Sequence, residues 1–169
     1  MNIIEVSYEQ DGYALQFPES MVTDRLNRIF HALGYEAIEV SCSFVSDQTI
    51  RELNRDYRNK DESTDILSFP QEEDSDIVFP SSHDTSLYGG DTSVEDTRLL
   101  GDIVVSLTSM QHNCNEFGSS PDEELFRLLI HGALHLLGYD HQTNDAKEPM
   151  LAKQELLLET LHKESAIEI

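Results

Sequence analysis

The stretch SSPDEELFRLLIHGALHLLGYDH, residues 119–141, constrains the fold more than any other part of the chain. Ser120 is placed to cap a helix, Pro121 suits the first helical position, and Glu123 completes a capping box whose charge favours the helix dipole. From Leu125 to Leu137 the segment is apolar on nearly every side. A helix of that kind has no solvent face and belongs in the middle of a fold.

Two imidazoles interrupt this apolar surface. His131 and His135 stand at i and i+4, so they project from one face of the helix. Gly138 can adopt a positive φ, stop the helix and reverse the chain, which brings His141 back toward the other two. A plain alternative makes His131 and His135 core histidines bonded to backbone carbonyls and His141 a turn residue. One buried histidine is common, but three at this spacing would each need a separate buried partner. We read them as one metal tripod. Three neutral imidazoles and an open fourth position favour a single zinc per chain, although nickel or another divalent ion fits the same set.

The spacing H-x3-H-x5-H, with a glycine between the last two histidines, matches the frame of the zinc metalloproteases with one difference. Those enzymes carry a general-base glutamate directly after the first histidine, and this chain has Gly132. The frame for a metal is kept and the base for peptide hydrolysis is missing.

Around the central helix the chain alternates element types. NIIEVSY reads as a strand, a helix comes next over roughly residues 20–33 ahead of Gly34, and IEVSCSFV (38–45) is a buried strand. Ser46 or Asp47 caps a helix running to about Tyr57. TDILSFP, closed by Pro70, and DIVVSL (102–107) supply two more strands, and the remaining C-terminal third is helical. The expected fold class is α+β, a small mixed sheet of about four strands packed with about five helices around a central metal-binding helix. The 169 residues suit one domain. Residues 71–98 carry many acids, serines and threonines and read as an acidic loop insertion.

Asp and Glu outnumber Lys and Arg by 33 to 11, for a net charge of -22, which argues against nonspecific nucleic-acid binding. The basic residues are nevertheless concentrated, four of them in RELNRDYRNK (51–60). On a helix, Ile50, Leu53 and Tyr57 would form a core stripe. Arg51, Arg55 and Arg58 would share an adjacent face, with Glu52 and Asp56 on the other side. Lys60 would extend a phosphate-binding edge. A solvated face with intrahelical ion pairs explains Arg51 and Arg55 equally well. No apolar span reaches bilayer length, and Cys42 and Cys114 fit neither a disulfide framework nor a thiolate zinc site. We expect a cytoplasmic protein with no membrane partner.

Taken together, HGALHLLGYDH, LNRDYRNKDESTDILSFP and LGDIVVS, in the order in which this chain carries them, resemble the YbeY family of endoribonucleases. The resemblance covers most of the chain. It implies a metal-dependent, single-strand-specific RNase that acts in ribosomal RNA maturation, at the 3′ end of the small-subunit RNA, and in ribosome quality control. Its partners would be single-stranded RNA, small-subunit rRNA and the ribosome, with no DNA substrate. It also implies a zincin-like fold, zinc on His131, His135 and His141, an active-site role for Arg58, and a role for His112 in the helix after LGDIVVS. The acidic loop and the net charge depart from the family's pattern. Asp140 either orients a metal ligand or serves the turn beside Gly138. An ion at the tripod would polarise the scissile phosphate while Arg58 offsets the charge that develops. Two other readings stay open: a zincin-like peptide hydrolase with a distant carboxylate in its site, and a non-catalytic ribosome assembly factor stapled by metal.

Overall fold

The computed structural model describes residues 2–71 and 97–167. Most of the acidic loop expected at 71–98 therefore lies outside the described residues. Four strands form one sheet in the order β1-β2-β4-β3, with β1 Ile3–Tyr8, β2 Ile38–Val45, β3 Ile66–Pro70 and β4 Arg98–Ser106. β1 and β4 both run parallel to β2, and β3 is antiparallel to β4 at the edge. The helices are α1 Asp11–Gln16, α2 Glu19–Ala32, α3 Asp47–Arg58, α4 Leu107–Phe117, α5 Pro121–Leu136 and α6 Pro149–Ile167. The mixed sheet and the α+β class agree with the sequence. Among the described residues there are six helices rather than about five, because the short α1 carries no buried residue and hence no apolar periodicity to read.

The strict alternation of β2 decides which side the core takes. Ile38, Val40, Cys42 and Phe44 are buried toward one face, where they meet Val22, Leu26, Ile29 and Phe30 of α2 and Leu125, Leu129 and Ala133 of α5. At about 1.5–3 kcal/mol for each fully buried large apolar side chain, this face carries most of the stabilisation. α5 contributes nine buried residues, as its unbroken apolar surface requires. Met150, Leu158 and Leu161 of α6 close the same core.

Among the described residues the opposite face is covered by α3, through a small cluster of Ile50, Leu67 and Val104 with Val45, Leu53 and Phe69 beside it. Tyr57, expected in the same stripe as Ile50 and Leu53, is 69% exposed. The sheet ends beneath it: β3 is the edge strand, and the last turn of α3 overhangs it, so the Tyr57 ring meets only the edge of Phe69.

β4 begins at Arg98, four residues before the expected strand, and Leu107 opens α4 instead of ending the strand. The early start is hidden in sequence by an irregularity. Glu39 pairs with Leu99 but Val40 pairs with Gly101, so Leu100 is an extra residue whose side chain is buried. Gly101 sits at φ 135°, where an added methyl would collide with the Phe69 carbonyl.

Candidate metal centre

Serine caps set the two ends from which the site is built. Ser46 Oγ accepts the Thr49 N–H at 3.2 Å and starts α3; Ser120 Oγ accepts the Glu123 N–H at 3.2 Å and starts α5. Of the capping box, this half is used; the Glu123 carboxylate faces Arg127 at 3.4 Å. At its other end α5 stops in a paired-bond motif: Gly138 N–H donates to the His135 carbonyl and Tyr139 N–H to the Leu134 carbonyl, each at 3.0 Å. Gly138 has φ 97°, the conformation this reversal needs. The next residues carry His141 back over the helix.

The three histidines converge. A ligating atom from each of His131, His135 and His141 lies within 4.8 Å of the others, and all three side chains are half-buried. Nε2 of His135 is 3.1 Å from Nε2 of His131. Two imidazole nitrogens on a tetrahedral ion at about 2.0–2.1 Å sit roughly 3.3 Å apart, so this spacing fits a shared divalent cation.

The outer ring nitrogens fix the tautomers. His131 Nδ1 lies 2.7 Å from Gln154 Oε1, and Gln154 Nε2 donates to Glu155 at 3.1 Å. The amide orientation is thereby set, its oxygen can only accept, and His131 must carry its proton on Nδ1. Likewise His141 Nδ1 donates to the Thr143 carbonyl at 2.8 Å. Both rings then present an Nε2 lone pair to the centre, as an imidazole ligand must. Burial holds His135 down at about 4, helped by the neighbouring His131 and His141 rings; burial also lowers His131, with Gln154 opposing the shift. Neutral imidazoles at pH 7 suit a metal and need no proton to be expelled.

The centre opens into a cavity of about 360 Å³ lined by His131, His135, Gly138, Tyr139 and Asp140 on one side and by Arg58 and β3 on the other. Arg58 reaches it from the end of α3: one terminal N–H donates to the Ser68 carbonyl, and the guanidinium lies 5.8 Å from the Phe69 ring centroid. Asp140 lines the cavity too, but its carboxylate accepts the His141 backbone N–H at 2.8 Å, which is a turn contact and not a bond to an imidazole.

The remaining candidates are elsewhere. Arg51 pairs with Asp61 at 2.8 Å and Arg55 with Asp56 at 3.1 Å, and the two arginines line a separate depression with Glu52 and Asp47. The expected edge of three arginines, sorted away from acids, is therefore split, because the neighbouring carboxylates fold back onto the helix surface and only Arg58 turns toward the tripod. Lys60 is exposed beyond the helix end. His112 is exposed on α4 in another polar pocket with Asp65, Asn113 and Ser109. Within that pocket Asn113 donates to Asp65 at 2.9 Å, and burial raises the Asp65 carboxyl.

Gly132 has a structural reason that the sequence did not disclose. A Cβ there would sit 3.0 Å from Ile66 Cδ1 and 3.2 Å from Ile103 Cδ1. The position faces the sheet, and a side chain there would have to displace the methyl ends of Ile66 and Ile103. Gln154 and Thr143 were missed entirely. Gln154 had a readable signal, since it stands in the buried stripe Met150–Gln154–Leu158 and is itself 7% exposed. A polar residue in such a stripe demands a partner. Thr143 acts through its backbone and left no signal.

The family model described as endoribonuclease YbeY matches residues 6–162. Endoribonuclease YbeY of Listeria innocua is 34% identical over 163 residues, 94% of this chain and 96% of that one; its counterpart in Bacillus thuringiensis is 40% identical over 124 residues, 73% of each. The solution structure of TM1509 from Thermotoga maritima superposes with a TM-score of 0.59 at 28% identity, covering 98% of this chain and 93% of that one. Among the described residues no helix is long and apolar enough to cross a membrane.

Proposed function

This chain belongs to the YbeY endoribonuclease family, and from that premise we propose how its residues cut RNA and which RNA they meet. It is a metal-dependent endoribonuclease, and the three convergent histidines carry this reading. His131, His135 and His141 hold the ion through their Nε2 atoms, while the Gln154 and Thr143 carbonyl oxygens keep two of the rings in the required tautomer. The donor set of neutral imidazoles with a fourth side open to the cavity favours zinc. An ion bound there supplies Lewis-acid polarisation of the scissile phosphoryl group and a more acidic water.

The chain's own contribution to the reaction is charge placement. Arg58 donates one N–H to the Ser68 carbonyl and lines the same cavity as His131 and His135, where the scissile phosphate is to be seated. A guanidinium so anchored offsets the negative charge that grows on phosphorus without having to reorganise. Asp140 stiffens the turn that carries His141. Arg51 and Arg55, farther back along α3, and Lys60, beyond its end, are outer contacts for the RNA backbone. His112 lines a neighbouring pocket with Asp65, a carboxyl close enough to act on His131, and from there it serves the reaction as an outer group.

The RNA we assign is ribosomal, with the 3′ end of the small-subunit RNA as the site of action and ribosome quality control as the setting, in the cytoplasm. Family membership supports this, and the two free, buried cysteines agree with a reducing compartment. A peptide hydrolase is disfavoured by the packing of Gly132 against Ile66 and Ile103. Metal analysis of the purified protein together with cleavage of a single-stranded RNA, with and without a chelator, tests the reading. One equivalent of zinc and chelator-sensitive cleavage are expected, and His135→Ala should lose both. Stoichiometric metal in that variant would overturn the tripod, and metal-loaded protein that cuts no RNA would leave only the assembly role.

A further inference from the structure

Two tyrosines near the tripod are left in solvent. Tyr139 lines the cavity itself and is 41% exposed, and the Lys153 ammonium lies 5.7 Å from its ring centroid. Tyr57 directly precedes Arg58. Its ring meets Phe69 edge-on, with centroids 5.5 Å apart and planes at 71°, and Arg58 lies against that same Phe69 ring. Tyr57, Phe69 and Arg58 thus form one continuous aromatic and cationic surface whose Arg58 end opens on the tripod. Scattered exposed apolar residues need no explanation. Tyr139, lining the cavity beside Lys153, and Tyr57, joined through Phe69 to the Arg58 that lines its other side, do.

Charge decides what these rings are for. A protein of net charge -22 gains little from counterion release; Lys153 lies over the Tyr139 ring, and Arg58 over the Phe69 ring that Tyr57 meets. The outer arginines Arg51 and Arg55 are already paired with Asp61 and Asp56, so few phosphates are neutralised and the electrostatic part of RNA affinity is small. Stacking of bases on aromatic faces is the remaining source of affinity, and it requires bases with an uncovered face.

We propose that Tyr139 and Tyr57 are stacking platforms for unpaired nucleobases on the two arms of the RNA that meet at the tripod. This rests on reading the site as an endoribonuclease. Single-strand preference then arises from the platforms, since a paired base must leave its stack before either tyrosine can hold it.

The test uses the metal-loaded protein and a fluorescently labelled single-stranded RNA oligonucleotide, with binding monitored by anisotropy and cleavage measured in parallel. Tyr139→Ala and Tyr57→Ala should each raise Kd and KM by about 5- to 100-fold with zinc content unchanged. Tyr→Phe at either position should behave as the original, because stacking needs the ring and not the hydroxyl. An abasic nucleotide next to the cleaved bond should weaken the original protein and have no added effect on the matching Ala variant. Ala variants that bind and cut normally, or Phe variants as impaired as the Ala ones, overturn the proposal. Tyrosine-dependent binding without cleavage would sink the nuclease reading and leave the platforms standing; cleavage indifferent to both tyrosines does the reverse. A protein that neither binds nor cuts the oligonucleotide overturns both.

Discussion

Gln154 Oε1 sits 2.7 Å from Nδ1 of His131, joining α6 to α5 across 23 positions of sequence. The contact continues outward: Gln154 donates to Glu155, whose carboxylate accepts from Arg127 Nε at 3.0 and 3.2 Å, and Arg127 also binds Glu124 at 2.6 Å. The ring of a candidate ligand is thus oriented by a chain of groups on two helices.

Gln154→Leu keeps the apolar stripe filled but removes the acceptor. Zinc affinity, measured by competition with a chelating dye, should fall about 10- to 100-fold. Gln154→Glu should hold affinity at or above the original level. Unchanged affinity in the leucine variant would show that the tautomer is set without Gln154.

Arg58→Glu should leave zinc content intact and lower turnover on single-stranded RNA by about 10²- to 10³-fold, the scale of losing one aimed transition-state donor. Steady-state cleavage by metal-loaded protein measures it. Original turnover in this variant would remove Arg58 from the site.

Gly132→Ala sets two effects against each other. Alanine favours a helix interior by about 1 kcal/mol over glycine, and overpacking against Ile66 and Ile103 costs about 1–3 kcal/mol, so the net change should be destabilising by up to about 2 kcal/mol. Gly132→Glu should be far worse, with a carboxylate pressed on two isoleucines, and should confer no peptide hydrolysis. Urea denaturation at fixed zinc separates these outcomes; a glutamate variant as stable as the original would refute the packing account.

The chelator-treated protein should gain stability as pH rises from about 4 to 6.5. His135 is held at about 4 when folded, against 6.5 for a free side chain, and His131 is lowered as well. In that window the unfolded chain binds more protons than the folded one, so acid favours unfolding and the contribution is complete above 6.5. Denaturant midpoints at several pH values, taken on an Asp65→Asn background to remove the opposing contribution of that raised carboxyl, test the sign; a flat profile there would mean that neither histidine is desolvated in the folded state.

The α5 segment and its tripod were legible because one local stretch holds all the signals: the serine cap, the unbroken apolar surface, the i and i+4 imidazoles and the helix-ending Gly138. The strand β2 was legible from its alternation. Tyr57 was misplaced because helical periodicity says which residues share a face and not how far the sheet beneath that face extends. Arg51 and Arg55 were grouped with Arg58 for the same reason: spacing does not reveal that Asp61 and Asp56 turn back onto them.

By itself, then, the sequence determined the central helix, the convergence of three histidines and the absence of a protease base, since each depends on residues within one or two helical turns. Only the tertiary structure decided that Gln154 orients His131, that Gly132 lies close against Ile66 and Ile103, and that Arg58 lines the tripod's cavity while Arg51 and Arg55 do not. Those relations join elements remote in sequence, and their geometry is set by how α3, α5 and α6 pack on the sheet.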